Sequence, residues 1–355
     1  IQNLILVSDI NRFVFCFGAN TLGTAVQDPM LIRWSDQESA VDWTPSATNQ
    51  AGSLRLSRGS EIIAANQSRQ AVMVWTDTAV YTLQFLGGQT GWGAQLVSGN
   101  ISIISSNAVA YANGVSYWMG KDKFYIYDGN VRALKCDLLR YVFNDINWQQ
   151  TGQIFAGTTE EYNEIWWFYC SEDSATVDRY IVYNYQDSIW YNGTLARTAW
   201  LDSGMRDFPL AATYTYNLVN HEEGVDDNET GTSTAINASI TSGQFDTEDG
   251  HKFTLISRII PDMTFDGSTA DSPSATITLY PMQNSGSGYN DPLSEGGNSA
   301  GAITRSATVP VEQYTDQIDV RVRGRQIAFK IESTDLGVQW QLGSPRLDMR
   351  VDGRR

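Results

Sequence analysis

The chain has 355 residues, carries 40 Asp and Glu against 24 Lys and Arg for a net charge of −16, and is 12% aromatic, with 11 Trp and 17 Tyr. That length buries enough surface to fold without a staple, and Cys16, Cys136 and Cys170 are too far apart, and too few, for a disulfide framework or a zinc site. The acidity argues against a protein built to grip a phosphate backbone, and no apolar run reaches the roughly 18 residues of a membrane span.

Strand-and-turn grammar dominates, and the aromatic enrichment suits pleated surfaces. No secretory signal opens the chain, and its start at Ile1 rather than Met predicts further residues upstream. In chain order, Ala71 to Thr76 and Ala79 to Phe85 read as a hairpin about Asp77-Thr78. Val115 to Trp118, Lys123 to Tyr127 and Val131 to Leu134 read as three strands, the last two joined by Asp128-Gly129-Asn130. Cys136 to Phe143 is the one predicted helix, lying between strand groups. Glu164 to Cys170, Arg179 to Asn184 and Ser188 to Gly193 repeat the three-strand pattern, and Leu210 to Tyr214 with Asn217 to His221 form another hairpin.

These groups recur. Trp75 to Trp118 is 43 residues, Trp118 to Trp167 is 49 and Trp167 to Thr213 is 46. A period near 45 made of short antiparallel strands predicts propeller blades, with a set of β-sandwiches as the competing reading. The acidic segment Glu222 to Gly231 marks a boundary, giving a propeller-like domain over 1–231 and an antiparallel β module over 232–355. In that module Thr276 to Tyr280 is a strand and Asn284 to Asn298 a Gly/Ser/Asn-rich loop. Gln317 to Ser333 is the cleanest period-2 stretch, with Ile318, Val320 and Val322 on one face and Asp319, Arg321 and Arg323 on the other. Gly324 is read as a turn, after which Ile327, Phe329 and Ile331 continue the apolar face; Val338 to Leu342 and Arg346 to Val351 complete a β-sandwich-like module. The fold class expected is therefore all-β, with β-propeller-like repeats followed by that module.

Two segments carry a family resemblance. The first runs Pro29-Met30-Leu31-Ile32-Arg33-Trp34-Ser35-Asp36, then Asp42-Trp43-Thr44-Pro45 and Gly52-Ser53-Leu54. The second is Arg321-Val322-Arg323-Gly324-Arg325-Gln326 with the ending Trp340 to Arg355. Both resemble the packaged-DNA stabilisation proteins of short-tailed bacteriophages, the tail hub or nozzle family. The resemblance implies a non-enzymatic virion protein, assembled in the bacterial host cytoplasm, with a β-propeller in each subunit. It further implies a homo-oligomer, a six-copy ring that extends the portal channel and helps retain packaged DNA. Its implied partners are the portal or head–tail adaptor, tail fibres, spikes or a needle, with double-stranded DNA passing through unbound.

Candidate chemistry is sparse. Only His221 and His251 could serve a catalytic dyad, and neither lies near a GxSxG elbow. The carboxylates of Glu222 to Glu229 lack DxDxDG spacing for calcium, and Asp246, Glu248 and Asp249 read the same way. No catalytic residue, metal ligand or cofactor is assigned. The candidate interface is the arginine row Arg321, Arg323 and Arg325, facing acidic residues of a neighbouring subunit; a solvated face and nucleic-acid binding are the other readings. Residues 305–355 hold nine Lys/Arg against seven Asp/Glu, which leaves −18 on residues 1–304. Two other function classes remain open: a propeller-type glycan- or receptor-binding module of a tail, and a glycosidase, for which Arg33 to Trp43 lacks the Gly and Thr-Trp of an Asp-box turn.

Overall fold

The predicted alternation becomes short antiparallel sheets in the computed structural model, which describes residues 3–353 apart from 70, 203, 249 and 283–305. The loop Asn284 to Asn298, Asp249 and the last two arginines of the second family segment lie outside the described residues. Contacts divide the chain into two compact units, Ile1–His221 and Glu222–Arg355. The acidic segment 222–231 therefore groups with the second unit.

The first unit is a series of meanders. β1 (Leu4–Val7), β2 (Val14–Phe17), β3 (Leu31–Trp34) and β4 (Gly52–Arg55) make sheet one. β5 (Ile62–Gln67), β6 (Val72–Thr76), β7 (Ala79–Gly87) and β8 (Gly91–Gly99) make sheet two, and β9 (Val109–Ala112), β10 (Val115–Met119), β11 (Phe124–Tyr127) and β12 (Val131–Leu134) make sheet three. Sheet four is β13 (Phe155–Thr159), β14 (Glu164–Tyr169), β15 (Arg179–Asn184) and β16 (Ile189–Thr194); sheet five is β17 (Ala199–Leu201), β18 (Leu210–Ala212) and β19 (Leu218–Asn220). Within each of these sheets the strands pair antiparallel with their chain neighbours, the order a propeller blade has. Trp75, Trp118 and Trp167 each sit on the second strand of their sheet, as the 45-residue period requires.

The sheets stack face to face in chain order, because each carries an apolar face it cannot bury alone. Phe15, Phe17, Ile32 and Trp34 of sheet one pack with Val72, Val74, Tyr81 and Leu83 of sheet two. Met73 and Trp75 of sheet two meet Tyr117, Trp118 and Phe124 of sheet three, which continue to Ile165 and Trp167 of sheet four. Trp166, Phe168 and Val182 of sheet four cover Trp200 of sheet five. The first strands β1, β5, β9, β13 and β17 touch one another in succession. Chain-neighbour meanders, faces stacked in series and first strands brought together make this unit propeller-like.

Turn chemistry fixes the hairpins. Asn113 and Gly114 between β9 and β10 both have positive φ, at 48° and 82°, the requirement of a two-residue type I′ turn. The Asp77 carboxylate accepts from the Ser60 N–H at 2.8 Å and the Ser60 hydroxyl at 2.6 Å, pinning the β6–β7 turn. The helix α1 (Leu139–Asp145) stands between sheets three and four as expected, but begins three residues later than the apolar pattern suggested. Cys136 to Leu138 enter it as a turn, and Leu138, Leu139 and Phe143 pack on the central core.

The second unit is a two-layer sandwich. Its strands are β20 (Asp226–Asp227), β21 (Thr234–Ala235), β22 (Ala238–Thr241), β23 (Thr254–Ile260), β24 (Met263–Thr264), β25 (Ser274–Met282), β26 (Ala307–Glu312), β27 (Ile318–Gly324), β28 (Gln326–Ser333), β29 (Gln341–Leu342) and β30 (Arg346–Val351). One layer has the order β22-β28-β25-β26, the other β27-β23-β30. Ile256, Ile259, Ile318 and Val322 of the second layer meet Ile277, Leu279, Ile327 and Ile331 of the first. Gly324 is thus a corner between layers. The apolar face before it and the one after it confront each other instead of continuing one surface. A Cβ there would lie 2.9 Å from both the Gln326 carbonyl and Pro281 Cβ, so only glycine lets the chain turn so tightly.

Candidate functional site: an arginine-bearing sheet face

Period-2 alternation on β27 sends Ile318 and Val322 into the sandwich and leaves Asp319, Arg321 and Arg323 outside. Across the layer, Arg323 pairs in register with Leu255, which pairs with Arg350 on β30; Asp319, Arg258 and Asp348 make a parallel row. A β-bulge between Ile256 and Arg258 shifts the phase of β23 by one residue. Without it Arg258 would face the core. Ile260 pairs with Arg346 at the far end. The outer face of this layer therefore carries five arginines, at 258, 321, 323, 346 and 350.

Some of that charge is neutralised. Arg323 Nε lies 2.6 Å from Asp352 Oδ2, its Nη2 donates to the Asp352 carbonyl at 3.0 Å, and its guanidinium stacks on the Phe253 ring at 4.2 Å. Arg258 Nη2 is 3.6 Å from Asp348 Oδ2. Arg321, Arg346 and Arg350 are exposed and form no ion pair among the described residues. Arg325 lies past the corner, beyond the end of β27. Its guanidinium sits 5.3 Å from the same Phe253 ring, and its buried Nε has no hydrogen-bond partner among the described residues.

The structure thus brings Arg321 and Arg323 together, sets Arg325 against the ring that Arg323 stacks on, and adds Arg258, Arg346 and Arg350. The alternation Arg346-Leu347-Asp348-Met349-Arg350 carries a signal for two of the three additions. Arg258 is invisible to alternation because the bulge reverses its side. The other family segment, 29–54, builds β3, β4 and the loop between them. Arg33 holds that loop by donating to the Asn20 and Trp43 carbonyls, each at 3.3 Å.

Elsewhere, His221 and several of the carboxylates singled out in the sequence are engaged in structure. His221 Nε2 accepts from Arg197 Nε at 2.9 Å, and its ring packs 4.7 Å from Trp200. Asp226 accepts the Gly337 N–H at 2.8 Å and Glu248 pairs with Lys252 at 3.2 Å. Asp246 accepts from Gln326 Nε2 at 3.3 Å. No group of three or more His, Cys, Asp or Glu is placed to hold a metal among the described residues. None of the three cysteines forms a disulfide among the described residues; burial pushes Cys136 up to about 12 and Cys170 up to about 11, so both are protonated at neutral pH. Glu164 is buried beside Trp166 and Tyr191; burial raises its carboxyl above the ordinary range, against the hydrogen bonds those two side chains donate.

Two clefts among those of the first unit bear on function. One, of about 370 Å³, lies over Cys16, Arg33 and Trp43 on sheet one. The other, of about 510 Å³, lies at the end of α1 between Trp148 and Glu172. Neither brings two carboxylates together, the minimum for acid–base glycoside hydrolysis.

No protein-family model and no curated protein matches the chain. Solved structures similar to it include Hsv2 of Kluyvelomyces marxianus, with 10% identity, a TM-score of 0.34 and 60% of each chain covered. An exo-β-1,3-galactanase of Phanerochaete chrysosporium, crystallised with galactose, has 9% identity and a TM-score of 0.33 over 98% of this chain and 95% of its own. A putative exported protein of Bacteroides fragilis has 7% identity and a TM-score of 0.32 over 59% of this chain and 65% of that one. The chain spans less than two thirds of the length of Hsv2 and of the exported protein.

Proposed function

We propose that the chain is a structural subunit of a bacteriophage tail, of the nozzle or hub type, which associates with copies of itself and with neighbouring tail proteins. The observation that carries this reading is the arginine face. A chain with a net charge of −16 sets five arginines on one outer sheet surface and leaves three of them without an ion pair among the described residues. Guanidinium groups bind carboxylates in bidentate pairs, so such a face suits an acidic surface on a neighbour, and residues 1–304 supply −18 of charge. The second family-like segment supports the same reading, since its residues 321–324 end β27 of this layer. A ring of such subunits with an acidic lumen repels DNA phosphates and lets the genome slide through without adhering. Retention then falls to a plug held by the ring.

The test is the mass of the purified protein in solution. Association is expected at low salt and is expected to weaken as salt screens the face, because the Debye length falls from about 10 Å at 0.1 M to about 3 Å at 1 M. Replacing Arg321 and Arg350 with Glu is expected to leave a folded monomer under conditions where the parent associates. A parent that stays monomeric at every salt concentration, or a variant that associates as well as the parent, sinks the reading.

A second reading, a glycan- or receptor-binding tail module, is favoured by aromatic rings left in solvent on the first unit. Tyr141, Trp148, Tyr162 and Tyr216 are 47%, 51%, 45% and 99% exposed.

A further inference from the structure

We infer that the cleft at the end of α1 is a binding subsite for an uncharged sugar ring, an inference that rests on the second reading above. The cleft is built by two chain segments. The run 143–149 leaves α1, and the hairpin after β14 returns beside it, held by the Ile146–Ser171 bridge and by the Asn147 N–H donating to the Cys170 carbonyl at 2.9 Å. Asn147 Nδ2 also donates to the Ser174 carbonyl at 2.9 Å, fixing Glu172 opposite Trp148. The Gln149 N–H donates to Asn147 Oδ1 at 3.0 Å and sets the turn that raises Trp148.

The lining has the chemistry a pyranose needs. Trp148 stacks on Phe143 at 6.5 Å and 27°, which props the indole while about half of it stays exposed. An indole face accepts the apolar C–H face of a sugar, and its N–H remains a donor for a hydroxyl. Around it stand the side chains of Asn144, Gln149 and Glu172, none of which is hydrogen-bonded to another described residue. Two amides and a carboxylate offer donors and acceptors for vicinal hydroxyls. The volume of about 510 Å³ falls within the roughly 300–1,000 Å³ of ligand clefts. Glu172 is the only charged group in the lining, so it repels uronic and sialic acids while accepting from neutral hydroxyls. That selects neutral hexoses over acidic sugars.

The test screens the purified full chain against immobilised oligosaccharides, comparing neutral glucose, galactose and mannose chains with sialylated and uronic-acid-containing ones. Binding to at least one neutral chain is expected, with quenching of tryptophan fluorescence and no binding to acidic chains. Trp148→Ala is expected to weaken binding about tenfold or more, and Gln149→Ala, at an exposed position, to weaken it less. Unchanged far-ultraviolet circular dichroism guards against misfolding, and the Gln149 variant carries the test if the Trp148 variant fails it. No binding to any glycan overturns both the inference and the glycan-binding form of the second reading. Binding that survives both substitutions, or that prefers acidic glycans, overturns the inference and leaves the module reading in place.

Discussion

Three tryptophans at equivalent strand positions are not equivalent residues. Trp118 Nε1 donates to the Ser102 carbonyl at 3.2 Å and Trp167 Nε1 to the Ala108 carbonyl at 3.0 Å, whereas buried Trp75 Nε1 has no partner among the described residues. An unmade hydrogen bond in the core costs about 1–3 kcal/mol. Trp75→Phe removes that liability along with some ring area, while Trp118→Phe strands a carbonyl. Urea denaturation is therefore expected to show Trp118→Phe as the more destabilised variant, by on the order of 1 kcal/mol; equal losses would refute the distinction. Glu164 makes a second case. Burial raises its folded pKa above the unfolded value, so the fold binds its proton more tightly. The stability it contributes is full below the ordinary carboxylate range and is lost as pH rises through the raised value. Glu164→Gln keeps an acceptor for Trp166 and sheds the charge. Its thermal midpoint is expected above that of the parent at pH 7, with the gap closing as the pH falls below about 4.

At the scale of elements, aromatic rings laid on glycines join the strands. Trp34 lies on its register partner Gly52, and Trp200 reaches from β17 to lie on Gly157 of β13. The Trp200 N–H donates to the Thr158 carbonyl at 2.8 Å and its ring stacks on Trp166 at 5.1 Å, so this one side chain docks sheet five on sheet four. A Cβ at position 157 would sit 2.5 Å from Trp200 Cδ1. Gly157→Val is expected to displace the indole and cost about 1–3 kcal/mol. Gly152→Ala, where a Cβ meets nothing within 4 Å, serves as the neutral control. If the two variants melt alike, Trp200 is not the anchor.

Much of this element map was legible. The strands about Trp75, Trp118 and Trp167 followed from aromatic runs between turns, and the 45-residue period placed them on the same strand of successive sheets. Sheet one was not assembled from sequence, because seventeen residues that are not strand separate β3 from β4 and hide the meander. The Asn113-Gly114 turn is a strong hairpin signal, yet the strand before it, Val-Ala-Tyr-Ala, is too plain to read alone. Gly324 misled because alternation reports which residues share a side, and cannot report that the chain has changed sheets. The arginine site was half legible for the same reason: Arg321 and Arg323 alternate visibly, while the bulge that exposes Arg258 leaves no periodic trace.

For the whole molecule, charge is separated along the chain, with −18 on residues 1–304 and a slight positive balance in the last fifty. The arginine face sets local positive charge on an otherwise acidic chain, which favours contact between that face and a different, acidic surface of another copy, the heterologous geometry that closes rings. The salt-dependent mass and the Arg321/Arg350 substitutions probe that contact directly.

The serial stacking of the sheets also governs how the first unit comes apart. Among the described residues the main contacts of each sheet are with those next to it in the chain, so the unit's cooperativity is that of a row of dominoes. Loss of order is expected to creep inward from the ends, and sheet five, with three strands among the described residues, is the weaker end. Amide protons of β17 to β19 are expected to exchange with deuterium well before those of β10, β11 and β14; uniform exchange across all five sheets would mean that the unit melts as a single block.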